Sequence, residues 1–304
     1  MAFDTELTIT GPVRSPRQML QDQITDGHAS VHDGDAAASL GLQGAPIEGP
    51  THFSQFDPLA YSLWGVAWFE QGCISSHFQT MVVEGETVQA SMTTTGQNSA
   101  RIAAVKNDGR PVLTGSASVG PNHPVSALEE RRASMADPGE LFIVDRLELG
   151  MTSDGGVVSV DHDHDNGLLY PFSLAEKTAK ITEPCPWYTE EGAASSPWGR
   201  AIVPFEMASV MSNKSPGQFP VRRPSLGLFL DLQVRMHGTP LFVGQEYHVV
   251  HEIVGVGQSR KTESFWTSST LTDVDTGKLT ATVLLHHGVF KASYPDYPAS
   301  PLTA

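Results

Sequence analysis

Residues 49–72 read GPTHFSQFDPLAYSLWGVAWFEQG and hold one long apolar segment. Phe53, Phe56 and Ala60 recur at three- and four-residue steps, and Leu63 and Ala67 continue the series. This spacing is the period of an α-helix, and other aliphatic and aromatic residues fill the remaining faces. We therefore predict one central helix, apolar nearly all round, that other elements must wrap.

Short strands follow this helix. The segments CISSHFQTMVVEG, ETVQASMTTTG, ARIAAVKNDG and RPVLTGSASVG are rich in Val, Ile, Thr and aromatic residues and are punctuated by Gly. This composition is typical of antiparallel strands joined by tight turns. The sequence therefore predicts an α+β fold, with a helix buried in the curl of an antiparallel sheet.

The start of the helix bears on function. Asp57 before Pro58 suits an N-cap, whereas Ser54 suits a capping box, and in both cases His52 lies in the entry loop. A helix N-terminus depresses the pKa of a nearby imidazole and favours an oxyanion beside it. We expect His52 to be a neutral base next to an oxyanion site, or else to close the loop by hydrogen bonding to backbone.

The composition excludes some partners. The chain has 304 residues and a formal net charge of −15, and its apolar content is that of a globular protein. Nucleic acid and anionic membrane both need a basic surface, so neither is expected as a partner. Cys73 and Cys185 cannot make a disulfide framework, and no targeting or membrane-spanning segment is evident. We expect a soluble cytoplasmic protein.

The second half of the sequence repeats the first. WGRAIVPFEMASVMSN is a second apolar helical segment, MVVEGETVQASM corresponds to LFVGQEYHVVHEI, and RIAAVKNDGRPVLTGSASV corresponds to FWTSSTLTDVDTGKLTATVLL. The turns Asp108-Gly109 and Thr276-Gly277 fall at equivalent points. The pattern predicts two modules, residues 1–135 and 136–304, with a connector that carries one surface helix near Val125 to Met135.

This repeated order of helix, strand and Gly turn resembles the double hotdog fold of the MaoC-like hydratase and dehydratase group. That group carries a loop of the form D-x-N-P-[IL]-H-x-D-x-x-x-A-x-x-x-G before its helix. Here Asp26 and Asp33 take the two Asp positions and Gly41 the Gly position, while Ile47 and Gly49 follow with small shifts. The resemblance implies that Asp and His hold and deprotonate a water that adds across an enoyl thioester, while backbone N–H groups polarise the carbonyl.

Val31 occupies the position of the family's catalytic His and cannot deprotonate anything. A bulge of one residue would bring His32 into the site, or His28 would supply the imidazole from the other side of Asp26. His52 lies three residues beyond the family's second His and is the candidate to replace it. The resemblance therefore predicts the fold more firmly than the reaction.

The predicted catalytic residues are Asp26, His28, His32 and His52, which form with Asp33 the densest acid/base group near a predicted helix terminus. A metal site built from these His and Asp side chains is one alternative, although the resemblance implies no metal. The other alternative is structural. In it, Ser30 caps a short helix, Asp33 and Asp35 lie in its first turn, and the His residues are exposed.

No comparable loop precedes the second apolar helix, so the first module is expected to be catalytic and the second to shape the pocket. Arg260 is a candidate ligand for a substrate carboxylate or phosphate, with Glu263 as an ion-pair partner, or else a solvated edge-strand charge. Glu206 lies in the apolar run VPFEMASVM and is costly to bury without a partner. Hotdog thioesterases use a carboxylate on the helix, and by this resemblance Glu206 is the candidate for that role. The alternative is that Glu206 makes a hydrogen bond between the modules.

We accordingly predict a lyase of the hydratase or dehydratase type, acting on an acyl thioester or a related activated carbonyl. No cofactor or metal is expected, and the partners are a small molecule, CoA- or carrier-linked, and a second copy in a homodimer. A thioesterase that uses Glu206 or Asp57 and a non-catalytic ligand-binding protein are the alternatives. The predicted substrate-binding residues are Gly49, Thr51, Ser54, Gln55, Trp64, Arg260 and Glu263.

Overall fold

The structure is a computed structural model, and it describes residues 5–25 and 27–298. Among these residues, the first half contains seven strands, four short α-helices and one 3-10 helix. The strands are β1 Thr8–Arg14, β2 Ile24–Thr25, β3 His28–Ala29, β4 Gly72–Phe78, β5 Val88–Gly96, β6 Ser99–Lys106 and β7 Pro111–Val119. The helices are α1 Gly34–Ser39, the 3-10 helix Gly49–Phe56, α2 Asp57–Trp64, α3 Ala67–Gln71 and α4 Ala127–Ala133.

The described part of the second half contributes five strands, four of them with ten or more residues, and two α-helices. The strands are β8 Thr152–Val158, β9 Gly227–Met236, β10 Tyr247–Gln258, β11 Thr262–Asp273 and β12 Leu279–Phe290. The helices are α5 Leu174–Lys180 and α6 Met207–Asn213, with short 3-10 turns at Pro186–Tyr188, Ala193–Ser195 and Lys291–Ser293. No helix among the described residues has the length and apolar character needed to cross a bilayer.

Ten strands form one antiparallel sheet in the order β1-β5-β6-β7-β4-β9-β12-β11-β10-β8. Read outward from the central pair β4 and β9, the two halves have the same connectivity, with β7 matching β12, β6 matching β11, β5 matching β10 and β1 matching β8. The predicted α+β architecture and the internal repeat are confirmed. The helix predicted near residues 125–135 is also confirmed as α4.

The central helix is not continuous, and this part of the prediction is wrong. Gly65 has a φ of 58°, in the left-handed region, and its N–H donates to Tyr61 O at 2.7 Å to end α2. The wrapping is also incomplete, since Tyr61 on α2 is 43% exposed. Phe53 and Phe56 are fully buried, as the helical spacing predicts.

The two halves meet where β4 pairs with β9, and a buried carboxylate marks the junction. Asp231 on β9 accepts from His77 Nδ1 at 2.7 Å and from His286 Nδ1 at 2.5 Å, and Arg131 of α4 lies 3.2 Å away. Burial opposes ionisation, but the hydrogen bonds from His286 and His77 lower the pKa of Asp231 to about 2. The junction therefore holds a charged carboxylate that strands from both halves and a helix stabilise together.

Glu263 anchors the segment that follows α4. Its fully buried carboxylate accepts from the N–H groups of Phe142, Ile143 and Val144 at 2.7–3.1 Å and from the hydroxyl of Tyr297 at 2.9 Å. The three backbone donors lie about 120 residues before Glu263 in the chain. The side chain thus fixes a long connection against β11 rather than facing a ligand.

We expect Glu263→Gln to destabilise the protein by about 2–3 kcal/mol, because one acceptor oxygen becomes an NH₂ that meets backbone N–H donors. Urea unfolding followed by circular dichroism measures the difference. Glu252→Gln is the matched control, since Glu252 is exposed on the neighbouring β10. Equal midpoints for the two variants would contradict the anchoring role of Glu263.

Candidate active site

A cavity of about 630 Å³ lies between the loops of the first half and the sheet of the second. From the first half it is lined by residues of the β2–β3 hairpin, the segment 46–49 and the start of the 3-10 helix: Thr25, Ser30, Val31, His32, Pro46, Ile47, Glu48, Gly49 and His52. From the second half it is lined by Tyr170, Asn213, Phe219, His251, Phe265, Thr267 and His287. Its wall is mainly apolar with a few polar groups, as is usual for small-molecule sites.

His32 is held in one orientation in this wall. Its Nδ1 donates to the carbonyl of Pro46 at 2.7 Å, and its backbone N–H donates to Ser30 Oγ at 3.1 Å. A carbonyl can only accept, so the neutral ring has its proton on Nδ1 and a lone pair on Nε2. Burial lowers the pKa of His32, while the Pro46 hydrogen bond opposes this. The ring is therefore an uncharged acceptor at neutral pH.

The 3-10 helix begins at Gly49, directly beside the cavity. A Cβ on residue 49 would lie 2.8 Å from the ring of Phe78, so only Gly allows this close approach. The first N–H groups of a helix have no acceptor within the helix and carry positive partial charge. Pro50 has no N–H and the Thr51 N–H donates to Glu48 O at 3.2 Å, so Gly49 carries the backbone donor that the helix start offers beside the cavity.

His52 lies one turn into the same helix and is buried. The amide Nε2 of Gln55 is 3.4 Å from His52 Nδ1. Burial, followed by the positive charges of Lys106 and Lys177, lowers the pKa of His52 to about 4. This imidazole is thus neutral under ordinary conditions, and His52 lies inside the 3-10 helix rather than in the loop before it, where the sequence predicted it.

A buried ion cluster lies behind the helix start and joins the two halves. Lys177 of α5 has its Nζ 2.7 Å from Glu206 Oε1 and 3.9 Å from Glu48 Oε2. The same Nζ lies 3.3 Å from the hydroxyl of Thr51. Burial acts to lower the pKa of Lys177, but Glu206 and Glu48 raise it overall. One lysine therefore shares its charge between two carboxylates, one of which lines the cavity.

The second half supplies two more histidines to the cavity wall. His251 of β10 lies 2.8 Å from Ser269 Oγ through Nδ1, and its Nε2 donates to Ser215 O at 2.9 Å. His287 of β12 stacks on Phe265 with ring centres 4.5 Å apart, and burial lowers its pKa to about 3. These two rings are uncharged and add aromatic surface to this side of the cavity, where Arg223 is also a lining residue.

Several solved structures share this arrangement of two helix-and-sheet halves. A MaoC domain protein dehydratase structure from Chloroflexus aurantiacus J-10-fl is 13% identical, with 95% of each chain covered and a TM-score of 0.57. A conserved hypothetical protein from Mycobacterium tuberculosis with a double hotdog fold is 12% identical, with 95% of this chain and 97% of that chain covered and a TM-score of 0.57.

A third structure, described as a MaoC-like dehydratase, is 12% identical over 94% of this chain and 97% of that one, with a TM-score of 0.51. The chain has the double hotdog fold of the MaoC-like group. The likeness lies in the fold, since the sequence matches no protein-family model and no curated protein.

Within this double hotdog the cavity contains some of the predicted site residues and not others. His32, Gly49 and His52 line it. His28 does not; its Nδ1 donates to Ala29 O at 2.9 Å, and its Nε2 is buried without a partner among the described residues. Asp26 lies outside the described residues.

Three predicted substrate-binding residues are buried in the 3-10 helix behind the wall. The hydroxyl of Ser54 donates to Thr51 O at 3.0 Å, Thr51 contacts Lys177, and Gln55 contacts His52. They support the lining residues rather than face the cavity.

The N-cap of α1 is Asp33 and not Ser30. The Asp33 side chain accepts hydrogen bonds from the N–H groups of Asp35 and Ala36.

Trp64, Arg260 and Glu263 lie away from the cavity, so the structure does not support them as substrate ligands. The Trp64 indole N–H donates to Gln97 O at 3.2 Å. Arg260 is exposed in the turn between β10 and β11, and the Glu263 carboxylate is used by backbone donors. The predicted ion pair between Arg260 and Glu263 does not form because the two side chains occupy different environments.

The two carboxylates predicted for a thioesterase are also engaged elsewhere. Glu206 pairs with Lys177, which belongs to the same half, and does not line the cavity, so the predicted hydrogen bond between modules is not made by Glu206 itself. Asp57 accepts from Trp68 Nε1 at 2.9 Å and from the Tyr188 hydroxyl at 3.0 Å. Burial, opposed by these hydrogen bonds, raises the pKa of Asp57 to about 7. Asp57 therefore fixes α2 against α3 and the second half.

Within residues 5–25 and 27–298, no three His, Cys, Asp or Glu side chains are grouped as metal ligands would be. The cavity instead contains Glu48, His251 and His287, which the sequence did not single out as site residues. A signal was present for the two histidines, because alternation along β10 and β12 places them on the inward face. For Glu48 the signal was its position directly before the Gly49-Pro50 helix start, in the same entry segment as His52.

We expect Lys177→Met to destabilise the protein by about 3–5 kcal/mol, because two buried carboxylates lose their cation. The loss should be smaller at pH 5 than at pH 8. Without the cation the folded-state pKa of Glu48 rises further above its usual 4.5, and a raised acid pKa costs stability as pH rises.

Urea unfolding at the two pH values tests this expectation. Lys180→Met, at the exposed end of the same helix, is the control and should change little at either pH. A Lys177→Met deficit that is independent of pH would mean that packing, and not charge pairing, accounts for the effect.

Proposed function

We propose that this protein is a hydratase or dehydratase of the lyase class that acts on an acyl thioester. The proposal is carried by His32, an imidazole with a fixed tautomer that lines a partly open, mainly apolar cavity at a helix start and whose Nε2 has no hydrogen-bond partner among the described residues. Proteins of similar fold are described as MaoC-like dehydratases, which supports this reaction class.

In the dehydration direction His32 Nε2 takes a proton from the carbon next to the thioester carbonyl. Negative charge then develops on the carbonyl oxygen, and the backbone N–H of Gly49 stabilises it. The bond from the next carbon to its hydroxyl breaks, an acid of the cavity wall protonates the departing oxygen to give water, and an enoyl thioester results. Hydration is the reverse of these steps, and a neutral imidazole suits both directions because it can accept the proton in one and return it in the other.

The volume and apolar lining of the cavity support the proposed substrate class. A volume of about 630 Å³ with a largely apolar wall fits an acyl group, and a thioester acidifies its neighbouring carbon enough for an imidazole base. A CoA or carrier-protein link is proposed on this basis. The cytoplasmic location and the homodimer stay predictions from the sequence.

The proposal predicts that His32→Asn lowers the hydration rate of an enoyl-CoA by about 10²–10⁴, because Asn cannot exchange the proton. The loss of absorbance of the conjugated thioester measures this rate over a panel of chain lengths. His164→Asn is the control, since His164 is exposed in a turn of the second half. It should retain the parent rate.

His28→Asn separates the two histidines of the hairpin and should keep its rate within a few-fold, because His28 does not line the cavity. Asp26→Asn should behave like His32→Asn if the carboxylate serves the same site. Should His28→Asn be the inactive variant and His32→Asn the active one, the assignment of the base would be overturned. Hydrolysis of acyl-CoA that Glu206→Gln abolishes and His32→Asn leaves intact would instead indicate a thioesterase.

A further inference from the structure

Glu48 occupies the same stretch of cavity wall as His32. It lies two residues after Pro46, whose carbonyl holds the His32 ring, and two residues of extended chain span at most about 7 Å. The side chain is 5% exposed and lines the cavity. The Glu48 carboxyl and the His32 imidazole therefore belong to one wall, and residues 46–48 connect the carbonyl that holds the imidazole to the residue that carries the carboxyl.

One oxygen of Glu48 has no protein partner. Oε1 is buried and makes no hydrogen bond within the described part of the chain, while Oε2 lies 3.9 Å from Lys177 Nζ. Buried polar atoms without a partner are uncommon and costly. In a cavity wall such an atom is suited to hydrogen bond with a ligand.

The groups around Glu48 decide its charge. Lys177 is closer to Glu206, at 2.7 Å, than to Glu48, so its charge is only partly available to Glu48. The Tyr170 phenol and the neutral His52 adjoin the same region, and Lys106 acts on His52 from the first-half sheet. Burial raises the pKa of Glu48 to about 7, with Lys177 opposing the shift and Glu206 adding to it. The carboxyl is thus half protonated near neutral pH.

We propose that Glu48 is the second proton-transfer residue of the cavity and acts with His32 on opposite ends of the same elimination. This inference rests on the proposed function. It assigns to Glu48 the proton of the leaving group and to His32 the proton of the carbon.

In dehydration His32 Nε2 takes the proton from the carbon next to the thioester carbonyl. The bond from the following carbon to its hydroxyl oxygen breaks, and the proton of Glu48 joins that oxygen to give water. His32 is then protonated and Glu48 ionised, and Lys177 stabilises the new carboxylate. Exchange with solvent returns each group to its starting state, and no oxidant or co-reactant is needed.

The test is the pH dependence of dehydration of a 3-hydroxyacyl-CoA by the full chain. The parent protein should lose kcat as pH rises through about 7, where Glu48 loses its proton. Glu48→Gln should lower kcat by about 10²–10⁴ and remove this alkaline limb. Glu190→Gln, in an exposed turn, is the matched control and should keep both the rate and the limb.

A Glu48→Gln variant that keeps the parent rate and the parent alkaline limb would overturn the inference and leave His32 and the proposed function standing. If the parent protein dehydrates no hydroxyacyl thioester, the proposed function fails first, and the inference fails with it. Infrared spectra separate the causes without turnover. A protonated carboxyl band that titrates near pH 7 and is absent from Glu48→Gln shows that the proton-holding group exists.

A second variant covers the case in which Glu48→Gln does not fold. In Lys177→Met with Glu206→Met, the ion pair is replaced by apolar side chains and Glu48 stays in place without its cation. The alkaline limb should then move to higher pH, because Lys177 lowers the pKa of Glu48 by more than Glu206 raises it. A limb that does not move in this variant would contradict the role of Glu48.

Discussion

The pairing of β4 with β9 is the contact on which the rest of the molecule depends. It joins two five-stranded sheets through backbone hydrogen bonds and removes two free strand edges, each of which would otherwise expose a row of unpaired backbone groups. Asp231 accepts hydrogen bonds at this junction from histidines of both halves. With the junction fixed, the loops of the first half necessarily face strands of the second, and the cavity forms between them.

The cavity combines an apolar wall with a small number of buried polar groups, and burial determines the state of those groups. It keeps His32, His52 and His287 uncharged and brings the pKa of Glu48 to about 7. In water these side chains would titrate in their ordinary ranges. The same desolvation that makes polar groups costly in the core therefore keeps the imidazoles neutral and brings Glu48 into the range where it exchanges a proton near neutral pH.

The two halves share a topology and differ in what they carry. The first half has the hairpin, the segment 46–49 and a helix start beside the cavity, and the second contributes the inward faces of β10, β11 and β12. Lys177 links them, since it pairs with Glu206 before α6 and approaches Glu48 before the first-half helix. The duplicated fold thus supplies a scaffold, and the chemistry arises from the asymmetry between its copies.

The sequence by itself determined the α+β class, the repeat and the buried helix start, because these depend on local periodicity and on the Gly residues between strands. It also directed attention to His32 and His52, whose neighbourhood in the chain is acidic and close to a helix. Only the tertiary structure decided that Arg260 and Trp64 lie outside the cavity and that Glu48, His251 and His287 lie within it. The physical reason is that a site is assembled from residues far apart in the chain. Contacts such as those of Lys177 with Glu48 and of Glu263 with residues 142–144 are set by the packing of whole elements, which local sequence patterns do not encode.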